Sequence, residues 1–292
     1  MSWRTVVISS VCKLDVNMGF LVVRGEETKK IFLDEIAILM IENPAVSLTG
    51  CLIEALTEKK VKVIFCDFKR MPAAELIPYR GCYDKSRKIR AQIEWSNGIK
   101  ELVWTEIVTD KIRKQAEFLK DLSMIKEEML LKSYINQIEL FDVTNREGHA
   151  AKVYFNAVFG MDFTRSADNP INAALNYGYS VLLSAFNREV AANGYLTQLG
   201  LFHNNMFNQF NLSSDLMEPF RVLIDRKVKN MEVSSFGKEE KHRIIDVLND
   251  TVSINRTSQT VLNAIRLYTL SVFEALNEGD LSALRFFDLE KK

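Results

Sequence analysis

Between residues 4 and 76, apolar positions fall in short β-branched runs, Thr5-Val-Val-Ile8, Phe20-Leu-Val-Val23 and Val61-Lys-Val-Ile-Phe65, separated by polar and turn residues. Runs of this length and branching predict strands. One helix is expected among them: Thr49 can cap a segment running to about Glu58, in which Leu52, Ala55 and Leu56 recur at helical spacing. Residues 1–76 therefore read as a small β-rich domain.

Pro72, Pro78 and Gly81 cluster where that pattern ends. They break regular structure and mark a linker at 77–84. Beyond it the period becomes helical. Ile89 and Ile93 stand four apart, Trp104, Val108, Ile112 and Ala116 form a continuous row, and Leu175, Tyr179 and Leu183 repeat the spacing. Such rows are packing faces. The fold expected is α+β in two domains, with an all-α domain over residues 85–292.

Composition narrows the function classes only a little. Lys+Arg and Asp+Glu both number 38 in 292 residues, so no global basic surplus points to nucleic acid. Positive charge is nevertheless uneven, with Lys85, Arg87, Lys88 and Arg90 past the linker, Lys111, Arg113 and Lys114 further on, and Arg221, Arg226, Lys227 and Lys229 later. Each cluster fits a solvated helix face or, if the fold gathers them, a phosphate-binding surface. Cys12, Cys51, Cys66 and Cys82 form no C-x-x-C pair, which predicts buried or half-buried free thiols in a reducing compartment. The N-terminal stretch matches neither signal peptide nor anchor, and the apolar segment near Tyr177–Leu196 is interrupted by Arg188 and Glu189. A cytoplasmic protein without membrane association is expected.

The candidate chemistry lies around two of the three histidines. Asn145-Arg-Glu-Gly-His-Ala150 carries Glu147 and His149, and His203 precedes Asp215 and Glu218. Asp215 and Glu218 share a face if their segment is helical, although Pro219 restricts it to a helix start or kink. A Glu, a His and another carboxylate from separate helices would suit Mg²⁺ or Mn²⁺ better than zinc. On spacing alone the alternative stands beside this, that Asp215 caps a helix and His203 is an ordinary hydrogen-bonding group. Glu147 and His149 point about 200° apart on a helix and do not bind one metal together. H-E-x-x-H, G-x-S-x-G and G-x-x-x-x-G-K-[ST] are absent, so metalloprotease, serine-hydrolase and ATP-driven readings lack support. The amides of Asn204-Asn-Met-Phe-Asn-Gln-Phe-Asn211 could meet DNA phosphates or sugars, or simply build a loop.

Asn145-Arg-Glu-Gly-His-Ala-Ala151, Phe155-Asn-Ala-Val-Phe-Gly160, Asp168-Asn-Pro-Ile-Asn172, Leu175-Asn-Tyr-Gly-Tyr179, Gly200-Leu-Phe-His203 and Asp215-Leu-Met-Glu-Pro-Phe-Arg221 together closely resemble the CRISPR-associated integrase family. With Trp3-Arg-Thr-Val-Val7 and Val63-Ile-Phe-Cys-Asp67 the likeness runs to about residue 229, and it looks like the type II branch. The resemblance implies an N-terminal β-sandwich-like domain and a larger helical catalytic domain. It places a metal site for Mg²⁺ or Mn²⁺ on Glu147, His203 and Glu218, with Asp215 as a supporting or alternate ligand and His149 orienting the helix of Glu147. Much of the family has Asp where Glu218 stands here, which lengthens the arm reaching the metal.

It further implies a metal-dependent DNA integrase inserting short fragments into a repeat array, through attack of a 3′-hydroxyl on a phosphodiester. Expected partners are DNA, a second copy of the chain in a homodimer, a small ferredoxin-like adaptation protein and, from the type II likeness, the effector nuclease. The clusters Lys85–Arg90 and Arg221–Lys229 are the candidates for backbone contacts. Two rival readings remain: a metal-dependent endonuclease using water, and a noncatalytic DNA-binding scaffold.

Overall fold

The computed structural model describes residues 4–68, 70–76 and 82–289. Trp3 and most of the linker expected at 77–84, with its Pro78 and Gly81, lie outside them. The chain divides into two compact units, one up to Tyr83 with Ala191–Asn193, the other from Asp84 to Val190 and from Gly194 onwards.

The first unit holds β1 (Arg4–Ile8), β2 (Lys13–Asn17), β3 (Phe20–Arg24), β4 (Thr28–Phe32), β5 (Ile36–Ile41), β6 (Ser47–Leu48), α1 (Gly50–Glu58), β7 (Lys62–Cys66) and β8 (Pro72–Glu75). They form two four-stranded sheets, ordered β1-β5-β7-β8 and β4-β3-β2-β6. β5 pairs in parallel with β1 and β7, and every one of its residues is buried. A strand covered on both faces has no alternation to betray it. Leu39 and Val63 of one sheet, Leu14 and Leu21 of the other, and Leu52 and Leu56 of α1 share one core. α1 begins as its sequence predicts, Thr49 accepting the N–H of Leu52. Pro72 does not break structure: it opens β8, an edge strand antiparallel to β7, where a missing N–H is tolerated.

The second unit is built on α2 (Lys85–Glu94), α3 (Asn97–Asp121), α4 (Ile125–Ile135), α5 (Arg146–Phe159), α6 (Pro170–Ala192), α7 (Asn211–Leu216), α8 (Arg221–Met231), α9 (Lys238–Ile245), β9 (Thr251–Ile254), β10 (Thr257–Thr260), α10 (Val261–Glu278) and β11 (Phe287–Asp288). α3 is its axis. Trp104, Val108, Ile112 and Ala116 are all buried on it, as their row predicts. The pair Ile89 and Ile93 is no packing face, because Ile93 is exposed. The expected all-α domain also needs correction, since β10, β9 and β11 form a three-stranded sheet. Asn255 and Arg256 both take left-handed φ and close the β9–β10 hairpin. These strands are too short and polar to announce themselves, with Val252 and Ile254 of β9 and Phe287 of β11 their buried apolar residues.

None of the four cysteines forms a disulfide; Cys12 and Cys66 are buried and Cys82 is half-buried, whereas Cys51 is exposed, against expectation. Among the described residues no helix is long and apolar enough to cross a membrane.

Candidate active site

Glu147 is set by an elaborate helix start. Phe141, Asp142 and Asn145 all have left-handed backbone, turning the chain into α5. Asp142 accepts the N–H groups of Arg146 at 2.8 Å and Glu147 at 2.9 Å, and Asn145 accepts that of Gly148 at 3.2 Å. Three of the four donors a helix leaves unsatisfied at its start are thus taken by two side chains. A Cβ on Gly148 would lie 2.6 Å from Asn145 Oδ1, so the glycine of Glu-Gly-His is what admits the cap.

His203 is set by Asp215. The fully buried carboxylate accepts the N–H groups of Leu201 (2.6 Å) and Phe202 (3.0 Å) on Oδ2, and that of His203 (3.2 Å) on Oδ1. Oδ1 also meets His203 Nδ1 at 2.5 Å. Asp215 therefore anchors a loop and a ring and caps no helix. The network assigns the imidazole proton to Nδ1 and leaves Nε2 as the acceptor. Buried Trp104 stacks on Phe202, centroids 4.6 Å apart and planes 3° apart, and meets the His203 ring edge-on. Gly200 is the loop's steric requirement: a Cβ there would strike the His203 carbonyl and lie 2.7 Å from Asp215 Oδ2.

Glu218 follows the break that Pro219 demands. α7 ends at Leu216, a single 3₁₀ turn spans Glu218–Phe220, and α8 begins at Arg221. Arg221 Nε donates to Glu218 Oε1 at 2.9 Å. Lys111 Nζ donates to Glu218 Oε2 and to Glu147 Oε1, each at 2.5 Å. One cation from α3 thus joins the two carboxylates. Side-chain exposure rises from 4% at Glu218 and 10% at Lys111 to 23% at Glu147 and 40% at His203, so a substrate would meet the last two first.

The charges are strongly coupled. Burial pushes the Glu218 carboxyl up, but Arg221 and Lys111 outweigh it and hold it at about 2. Burial opposes the Lys111 ammonium, yet Glu218 and Glu147 keep its pKa above the ordinary lysine value. His203 is raised by its bond to Asp215, against partial burial, with Glu218 and Glu147 adding to the pull. Burial raises Asp215, and the His203 contact only partly offsets it.

The other candidates fall elsewhere. His149 is exposed, its ring 6.3 Å from that of Tyr134. Lys111 and Lys114 are no solvated face: both are buried, Lys114 against Asp110 one turn away. On α2, Arg87 and Arg90 are exposed, Lys85 is half-buried, and Lys88 lies 3.5 Å from Asp84. On α8, Arg226 pairs with Asp121, Lys227 with Asp250, and Lys229 donates to the Val158 carbonyl. Asn205 and Asn208 accept the N–H groups of Phe207 and Phe210, so these amides build their own loop. Unanticipated from sequence are Lys111, Asp142 and Trp104. Also unanticipated is Asp225, to which Tyr154 (3.0 Å) and Tyr179 (2.5 Å) donate. Nothing in the spacing of Lys111 or Asp225 separates them from ordinary helix-face charges.

Among the described residues no three His, Cys, Asp or Glu side chains are grouped as a ready-made metal site. The donor chemistry nonetheless fits a hard divalent cation. Glu147 and Glu218 already converge on one positive charge, and His203 is backed by a carboxylate that leaves Nε2 available.

Comparison with known proteins places the chain among relatives. A family described as CRISPR associated protein Cas1 matches residues 5–241. A CRISPR-associated endonuclease Cas1 from Neisseria meningitidis serogroup C is 33% identical over 271 residues, 91% of this chain and 89% of that one. Among solved structures, a casposase bound to integration product superposes with a TM-score of 0.76 at 18% identity, covering 96% of this chain and 92% of the other. A Cas1 protein from Thermotoga maritima gives 0.74 at 17%, covering 99% and 100%. These two likenesses are of fold.

Proposed function

The chain belongs to the CRISPR-associated Cas1 family, and we propose that it is a metal-dependent DNA integrase that joins short DNA fragments to a repeat array by transesterification. The observation that carries this reading is the convergence of Glu147 and Glu218, from separate elements, on one cationic position, with His203 held ready by Asp215. Helix-capping carboxylates, as the scaffold reading requires, would point to backbone N–H groups instead. Asp142 does so; Glu147 and Glu218 do not.

Glu147, Glu218 and the Nε2 of His203 are the residues that would hold Mg²⁺ or Mn²⁺. Such an ion, when bound, draws charge from the attacked phosphate and acidifies the attacking hydroxyl. Asp215 fixes the ring so that Nε2 can bind the ion or take a proton, and Glu218 can exchange that second role with it. In the reaction a terminal 3′-oxygen bonds to phosphorus as a different 3′-oxygen leaves; the attacking hydroxyl gives up a proton and the leaving oxygen gains one. One ester replaces another, so no nucleotide is consumed. The reading extends, on the motif likeness, to the type II branch, a homodimer and a ferredoxin-like partner.

The test is to incubate the protein and its small partner with a fluorescent 3′-hydroxyl fragment and a repeat-bearing plasmid, in Mn²⁺ or EDTA. Label entering the plasmid only with Mn²⁺, and not with Glu147→Gln, is the expected result. Metal-dependent nicks without label would replace the proposal with the endonuclease reading. DNA binding with neither product would leave the scaffold.

A further inference from the structure

Both oxygens of Glu218 are committed to protein cations, Oε1 to Arg221 at 2.9 Å and Oε2 to Lys111 at 2.5 Å, and Lys111 holds Glu147 Oε1 at the same distance. Two carboxylates brought this close need a positive charge between them, or one must take up a proton. Lys111 supplies that charge from the buried face of α3. Glu147 and Glu218 are also the carboxylates that would hold a divalent cation, so the ion would draw on the oxygens that the ammonium holds. The two cations would compete for them.

We propose that Lys111 is an internal counter-cation that closes the Glu147–Glu218 pair while no metal is bound and is expelled when a divalent ion loads. The proposal rests on the metal-dependent reading above. It assigns Lys111 two opposing effects. Without metal it removes repulsion between the carboxylates and stabilises the fold. During loading it competes for the same oxygens, so metal binding is weaker than the donor set alone would give. Lys114 shows the contrasting arrangement: its carboxylate partner is Asp110, on the adjacent turn of its own helix, and it pairs with neither Glu147 nor Glu218.

Two measurements on the full-length protein test it. Amine acylation followed by mass spectrometry should label Lys111 in the wild-type chain faster when Mg²⁺ is added, with Lys114 unchanged as the internal reference. Mn²⁺ titration followed by electron paramagnetic resonance should show Lys111→Met and Lys111→Gln binding the ion about tenfold or more tightly than wild type, the loss of a competitor worth one decade or more. Equal or weaker Mn²⁺ binding by folded variants overturns the proposal and leaves the metal reading standing. Tighter binding with unchanged Lys111 labelling overturns it too, because the gain would then come from charge alone without displacement. Absence of Mn²⁺ binding to wild type and variants alike removes the metal reading and the proposal together. If both variants fail to fold, labelling of the wild-type chain decides.

Discussion

His203 Nδ1 stands 2.5 Å from Asp215 Oδ1, and the same oxygen accepts the His203 backbone N–H at 3.2 Å. One buried carboxylate thus fixes both the ring and the main chain of the residue. Asp215→Asn keeps the shape but turns one acceptor into a donor facing backbone N–H groups. Integration should fall about 10–100-fold, the usual effect of losing an orienting partner. Urea unfolding should show a loss of about 1–3 kcal/mol from the mismatched donors. An unchanged rate would mean that Asp215 supports the loop and not the ring.

Gly200 and Gly98 make a matched pair. A Cβ at Gly200 meets the His203 carbonyl and the Asp215 carboxylate, whereas at Gly98, in the first turn of α3, it meets nothing within 4 Å. Gly200→Ala should cost about 1–3 kcal/mol through overpacking and depress integration by unseating His203. Gly98→Ala should be neutral or stabilising by up to about 1 kcal/mol. Thermal unfolding of the two variants side by side checks both signs.

Lys114 is buried against Asp110, its ammonium 4.2 Å from the centroid of the Phe287 ring. Burial depresses the lysine, and the Asp110 carboxylate only partly restores it. Lys114→Met should cost about 1–3 kcal/mol, because Asp110 loses a buried charged donor and keeps Arg113, at 2.9 Å. Adding Asp110→Leu should recover most of that loss. A double-mutant cycle by chemical denaturation measures the recovery; additive losses would show that the two side chains are not coupled, against the prediction.

The same side chains show what the sequence could reveal. Spacing alone leaves Glu147, His203 and Glu218 open, and it is the resemblance that names them, through motifs that are local: Gly148 and Gly200 are required by contacts within a few residues or to one nearby segment. The helical rows on α3 and α6 could be read because burial follows a 3.6-residue period. Lys111 could not. It is 36 residues from Glu147 and 107 from Glu218, and it shares a cluster with Arg113 and Lys114 that reads as a solvated face. β5 escaped for the opposite reason, being apolar on both faces. Polarity in sequence reports exposure only when no partner waits in space.

Asp225 should make stability depend on pH. It is enclosed by Tyr154 of α5, Tyr179 of α6 and Arg221 of its own helix, with Arg165 also contributing. Burial raises its carboxyl to about 6, although the tyrosines and arginines pull against it. The folded state then holds a proton that the unfolded chain, near pKa 3.9, releases earlier. Stability from this group is full below pH about 4 and falls as pH rises to about 6, by roughly 3 kcal/mol. Asp225→Asn should lose that slope. Unfolding midpoints from pH 4 to 7 should show the wild type declining relative to the variant; parallel curves would contradict the raised carboxyl.

DNA contact, finally, can be separated from internal pairing by salt. Arg226, Lys227 and Lys229 of α8 already hold Asp121, Asp250 and the Val158 carbonyl, whereas Arg87 and Arg90 of α2 are exposed. A phosphate contact releases counterions and adds about 0.9 to the slope of log affinity against log salt for duplex DNA. A side chain that must first abandon a carboxylate gains little by reaching a phosphate. Arg87→Ala with Arg90→Ala should therefore flatten the slope by up to about 1.8 and leave the unfolding midpoint in place, since surface changes of this kind cost within about 0.5 kcal/mol. Lys227→Ala with Lys229→Ala should lower stability and leave the slope alone. Fluorescence anisotropy of labelled duplex between low and moderate salt gives both slopes, and a flattened slope in the α8 variant would return that helix to the DNA surface.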